Sequence, residues 1–235
     1  MTNLFSSFDP TVRIINLNLS LNWAAALIIR VLLPQTFWVL GSQWIISILK
    51  IIKYLAGELE AVFSSNVLPG TIFIYLGLFF FILFSNFIGL FPYIFTSTSH
   101  LRITISLGLP LWLGRIIFSV IFQFSHIIAH LVPTGTPGIL IPVIVIIETV
   151  RRIIRPGTLS IRLAANIVAG HLLLTLLGSQ GPNVAGIIIL LLIRGLILLL
   201  ILEVAVACIQ AYVFIVLNSL YLRELISVGF NKKII

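Results

Sequence analysis

Two stretches in the C-terminal half of the chain, residues 139–177 and 184–221, stay largely apolar for nearly forty residues each. Roughly twenty apolar residues already cross a bilayer as a helix, so runs of this length must tilt steeply, bend or break. Water offers no solution for such a chain. Of its 235 residues, 60% are hydrophobic and only 9% charged, whereas a soluble domain carries about 25% charged residues. Soluble enzymes and disordered tails are excluded on that ground. A disulfide scaffold is excluded because Cys208 is the only cysteine. What remains is a polytopic membrane protein.

Three shorter apolar runs precede the long pair: residues 14–33, which stop at Pro34, then 68–92 and 103–131. Between the first two lies 44–63, where Lys50, Lys53, Glu58 and Glu60 stand among Ile45, Ile46, Ile48, Leu49, Ile52, Leu55 and Leu59. That mixture reads as an amphipathic helix on the membrane surface. The predicted fold is an all-α membrane protein, a single membrane domain over residues 1–235. It has about five membrane-crossing helices plus the surface helix, with the last two helices long and strongly tilted. No internal repeat is visible. Residues 1–10 lack the basic start and small-residue cleavage pattern of a signal peptide, so no cleaved leader is expected.

The net charge is +8, from fourteen Lys and Arg against six Asp and Glu. These charges are scattered between apolar runs rather than gathered beside aromatics, so they orient the chain in a membrane and do not read as a nucleic-acid surface. With five crossings, Lys50, Lys53, Arg151, Arg152, Arg155, Lys232 and Lys233 fall on one side. Residues 1–12, 93–100 and 178–186 on the other side are nearly free of positive charge. The bias places the N-terminus outside and the C-terminus inside. Trp23, Trp38, Trp44 and Trp112 are expected in the interfacial belt.

Ionisable residues inside a bilayer cost a few kcal/mol even on lenient scales, which makes them candidates for function. The two long runs hold Glu148, Arg155, Arg162, His171, Arg194 and Glu203, with Asn166 and Gln210. Glu148, Arg155 and Arg162 are seven apart and Asn166 follows four later, so all four fall near one helical stripe. Glu203 and Gln210 repeat the interval on the last helix. Ala164, Ala165, Ala169 and Gly170 beside the first set, and Ala205, Ala207 and Ala211 beside the second, allow close helix approach. This arrangement reads as a path for an ion or proton, with internal pairing such as Arg162 to Glu203 as the structural alternative.

Other chemistry is sparsely supported. His126 and His130 share a helix face, but two histidines leave a transition metal under-ligated, so no metal is expected. With His171 they could also serve as axial ligands in a haem-binding redox subunit. A secondary transporter is a further alternative, although such proteins often show internal repeats. No Gly-rich phosphate loop, Cys-x-x-Cys or Gly-x-Ser-x-Gly occurs, so this chain is expected to bind no nucleotide and no cofactor.

The run Leu159-Ser160-Ile161-Arg162-Leu163-Ala164-Ala165-Asn166-Ile167-Val168-Ala169-Gly170-His171 closely resembles the signature of subunit a of the mitochondrial F-type ATP synthase. Residues 86–93, 129–137 and 201–214 resemble further motifs of that family, in order. The N-terminal stretch and the 95–100 loop look like arthropod versions. The resemblance implies a stator subunit of the Fo sector in the mitochondrial inner membrane, N-terminus toward the intermembrane space and C-terminus toward the matrix. Its partners would be other Fo stator subunits and a ring of c-subunits, whose buried carboxylates pass Arg162, the family's essential arginine. By the same resemblance Asn166, His171, Glu203 and Gln210 belong to an intermembrane-space half-channel and Glu148 to a matrix half-channel.

Some residues depart from this pattern. Arg30, Arg115, Arg151, Arg152 and Arg194 stand where neither a bilayer nor the family calls for a cation, and Met1 is the only methionine amid abundant isoleucine. Two origins fit. The arginines snorkel or meet anionic headgroups. Alternatively, a gene read with the wrong table shows serine as arginine and methionine as isoleucine, as happens with invertebrate mitochondrial codes. Arg155 and Arg162 stand where the family also carries arginine.

Overall fold

The computed structural model describes residues 8–14, 17–24, 43–63, 69–91, 94–131, 137–183 and 186–230. Its α-helices are α1 (Gln43–Phe63), α2 (Pro69–Gly89), α3 (Leu101–Leu131), α4 (Ile141–Ser179) and α5 (Ile187–Phe230). Four segments among the described residues are long and apolar enough to cross a membrane: Gly70–Gly89, Leu101–Ile121, Ile141–Ser179 and Ile187–Arg223. At 1.5 Å per residue α4 is about 58 Å long and α5 about 66 Å, against a hydrocarbon core of about 30 Å.

The first expected span, 14–33, does not begin as a helix. Val12–Ile14 and Leu17–Leu19 pair as an antiparallel hairpin, β1 and β2, with Val12 opposite Leu19. A 3-10 turn follows at Leu21–Ala24, and residues 25–33 lie outside the described residues. The sequence contains the reason. Leu17, Asn18 and Leu19 alternate with period two, which suits an extended strand better than a helix. Asp9 helps to fix the segment: its Oδ1 accepts from the Thr11 hydroxyl at 2.9 Å, and its carbonyl accepts from Asn22 Nδ2 at 3.3 Å.

Helix α1 is amphipathic. Leu59 and Phe63 are buried and Leu55 and Val62 half-buried, at three- and four-residue spacing, while Lys50, Lys53 and Glu60 stay exposed. The buried stripe meets Tyr75, Phe79 and Ile82 of α2 and Ala211, Phe214 and Ile215 of α5, and Leu159 and Leu163 of α4 complete this core. In lipid such contacts act through close packing more than through exclusion of water.

Two close approaches tie the bundle together. A Cβ on Gly89 would lie 2.8 Å from Thr96 Cγ2, so the glycine lets the following loop fold back over the end of α2. A Cβ on Gly108 would lie 2.8 Å from Ser160 Oγ, where α3 and α4 cross. Ser160 Oγ also lies 2.9 Å from the Pro156 carbonyl and 3.1 Å from that of Thr104 on α3.

Pro156 lies inside α4, buried, and the helix continues through it. Proline has no N–H to offer the carbonyl four residues back, that of Arg152. Trp112 fills the vacancy: its Nε1–H donates to the Arg152 carbonyl at 3.0 Å. This indole, read from the sequence as an interfacial belt residue, is thus a half-buried donor to the neighbouring helix.

Candidate functional site

Helix α4 sorts its side chains by face. Pro156, Leu159, Ser160, Leu163 and Ala164 are buried against the bundle, whereas Ile161, Arg162, Ala165, Asn166 and Ala169 point outward. Arg162 therefore projects from an exposed face of isoleucine and small residues. Among the described residues no acid pairs with it. The pairing of Arg162 with Glu203 that could have made the polar set purely structural does not form, since neither Glu203 oxygen has a hydrogen-bond partner.

The stripe expected from the seven-residue interval divides. Glu148 is engaged on its own helix, 3.1 Å from Arg151 and 3.4 Å from Arg152. Arg155 turns toward α5, its guanidinium carbon 4.6 Å from the centre of the Tyr221 ring. Ile147, Val150, Arg151, Ile154, Arg155, Thr158 and Tyr221 line an open cleft at this end of the α4–α5 pair. Arg162 and Asn166 are left as the outward members.

The second set gathers around Glu203. That side chain is 9% exposed and Gln210, two turns on, 8%. The Glu203 carboxyl packs directly against Gly170 of α4, beside His171, which is half-buried. The structure thus brings Glu203 to the turn of α4 that carries His171. A residue that the sequence offered only within the 86–93 motif lies against α5 one turn on from Glu203. Asn86 of α2 is 4% exposed, donates from Nδ2 to the Ala207 carbonyl at 3.5 Å, and leaves Oδ1 buried without a partner. The signal available in the sequence was an amide inside an apolar span.

The N-terminal segment closes over this end. The Phe8 ring stands edge-on to His171 with centroids 6.2 Å apart. His100 Nε2 lies 3.0 Å from the Phe8 carbonyl, which can only accept, so this nitrogen carries the proton in that contact. Trp23 and Phe95 flank the His100 ring at 5.2 and 5.3 Å.

The anomalous arginines differ in setting. Arg115 is 9% exposed and donates from Nε to the Leu111 carbonyl at 3.2 Å, with its guanidinium 5.3 Å from the Tyr221 ring centre. Arg194 is exposed on α5 amid Leu190, Leu191, Ile193, Ile197 and Leu198. Arg30 and the side chains of His126 and His130 fall outside the described residues.

A mainly helical membrane chain with an outward Arg162, unpaired among the described residues, and a buried acid on the adjoining helix can be compared with known proteins. The family model of the ATP synthase A chain matches residues 19–223. The chain belongs to the ATP synthase A chain family. It is 50% identical over 224 residues to the ATP synthase subunit a of Locusta migratoria and to that of Drosophila melanogaster, covering 95% of this chain and 99% of each relative. Its identity to the Anopheles quadrimaculatus subunit a is 49% over 225 residues, with the same coverage. Membership replaces the haem-binding and transporter alternatives. Arg162, Asn166, His171, Glu203 and Gln210 all lie within the part of the chain that matches the ATP synthase A chain.

Proposed function

We propose that this chain is the proton-translocating stator subunit of the Fo sector of ATP synthase in the mitochondrial inner membrane. Its N-terminus faces the intermembrane space and its C-terminus the matrix. One observation carries the reading: Arg162 stands on an exposed face beside Ile161, Ala165 and Ala169, and no acid of its own chain pairs with it among the described residues. A cation at membrane depth persists when it meets a partner or a wet path. A carboxylate arriving on a ring of c-subunits supplies that partner, and the small residues let the ring helix approach closely.

The chemistry is electrostatic. Unit charges 4 Å apart attract by about 4 kcal/mol at an effective dielectric near 20. An arriving protonated carboxyl therefore releases its proton beside Arg162 and stays ionised until it moves on. Arg162 also bars a direct leak between the two access paths. Protons enter from the intermembrane space by way of His171, Glu203, Gln210 and Asn166, and leave toward the matrix past Glu148 and the cleft between α4 and α5. Each elementary charge moved draws about 2.3 kcal/mol per 100 mV of membrane potential, which biases the rotation. Nucleotide chemistry belongs to other subunits of the complex. The exposed apolar remainder of the chain faces lipid and other Fo stator subunits.

The test is ATP synthesis driven by an imposed proton gradient. Arg162→Ala should abolish it, and Arg162→Lys, which keeps the charge but loses the planar fork, should recover little. Normal synthesis by Arg162→Ala would end the proposal.

A further inference from the structure

We infer that Gly170 is a positioning residue for the Glu203 carboxyl: its missing side chain forms the slot between α4 and α5 in which that carboxyl is held. The inference rests on the reading of Glu203 as part of the proton path and adds what places it there. A Cβ at position 170 would fall on Glu203 Oε1, 2.8 Å from Cδ and 3.1 Å from Cγ. The acid that fills this space is 9% exposed, and both its oxygens lack hydrogen-bond partners. Close approach is special to this position, since a Cβ on Gly157, Gly178 or Gly195 of the same two helices would meet nothing within 4 Å.

Glycine is among the weaker choices for a helix interior, and Ala164, Ala165 and Ala169 show that this part of α4 is otherwise built with alanine. What a methyl at 170 would strike is the flexible end of a side chain rather than backbone. Glu203 can rotate out of the way, so α4 and α5 need not separate. The bundle survives while the carboxyl loses its place beside His171. Gly170 lies eight residues beyond Arg162, about 12 Å along the helix axis. The slot therefore fixes how far the acid stands from the arginine.

The experiment uses the assembled complex in inverted membrane vesicles and compares Gly170→Ala, Glu203→Asp, the double variant and Glu203→Gln. Gly170→Ala should assemble to the normal level yet pump protons at least about tenfold more slowly, as expected of a misplaced relay group. Aspartate is shorter by one methylene and leaves room for the methyl. The double variant should therefore pump at the rate of Glu203→Asp alone, a rescue that a general packing defect would not give. Normal pumping by Gly170→Ala, failure of that variant to assemble, or a double variant as slow as Gly170→Ala would each overturn the inference. Normal pumping by Glu203→Gln would instead overturn the underlying reading of Glu203.

Discussion

The indole N–H of Trp112 donates to the Arg152 carbonyl at 3.0 Å, the same carbonyl that Pro156 deprives of its helical donor. A defect within α4 is thereby repaired from α3. Hydrogen bonds between helices in a membrane are worth roughly 1 kcal/mol. Trp112→Phe should lower the unfolding free energy of the assembled subunit by about that amount beyond its loss of packing. The decisive comparison is a double-mutant cycle. In a Pro156→Ala background the backbone N–H returns, so Trp112→Phe should cost less. Equal cost in both backgrounds would show that the indole does something else.

Tyr221 offers a second check on the α4–α5 joint. Its ring receives the Arg155 guanidinium at 4.6 Å, a contact worth about 0.5–2 kcal/mol. Tyr221→Phe keeps the ring face and should be nearly neutral in thermal unfolding. Tyr221→Leu should lose about 1 kcal/mol. If both variants behave alike, the ring face contributes nothing to the joint.

These contacts indicate where the sequence was legible. The long final helices could be read because apolar runs of nearly forty residues admit few folds, and the Gly178–Pro182 region breaks them. The amphipathic character of α1 could be read because Lys50, Lys53 and Glu60 leave one apolar stripe. The hairpin at 12–19 was missed because counting apolar residues over twenty positions ignores their period. Within the site, the seven-residue interval grouped Glu148, Arg155, Arg162 and Asn166, but not their partners. Glu148 is taken by the arginines three and four residues on, a local pairing that helix geometry allows. Arg155 is drawn to Tyr221, a contact between helices that no spacing within one run reveals. The meeting of Glu203 with Gly170, and of Asn86 with the Ala207 carbonyl, joins three helices and was beyond reach.

Asn86 yields a prediction of its own. It is buried one turn of α5 from Glu203, with Oδ1 unpartnered, as expected of a group that meets water or a passing proton. Asn86→Leu should leave assembly intact and slow ATP-driven proton pumping several-fold. Unchanged pumping would make the amide a helix-packing residue only.

The arginines that depart from the family pattern bear on the proposed exit path. Glu148, on the proposed exit path, is already engaged by Arg151 and Arg152 at 3.1 and 3.4 Å. Arg194 sits exposed among leucines and isoleucines, where a cation costs a few kcal/mol and a serine far less. Both features resolve if the gene has been read with the wrong table. Peptide mass spectrometry should then find serine at positions 151, 152 and 194, with arginine kept at 155 and 162. Arginine at 194 would overturn this reading and leave a snorkelling cation in its place.

In the proposed function Arg162 governs proton flow between this chain and a carboxylate-bearing ring. ATP-driven acidification of inverted vesicles measures that flow directly, with the native complex, an Arg162→Ala variant and a reagent that blocks the ring carboxylate. The native complex should pump, the blocker should stop it, and Arg162→Ala should not pump despite normal assembly. Undiminished pumping by Arg162→Ala, still sensitive to the blocker, would contradict that role of Arg162.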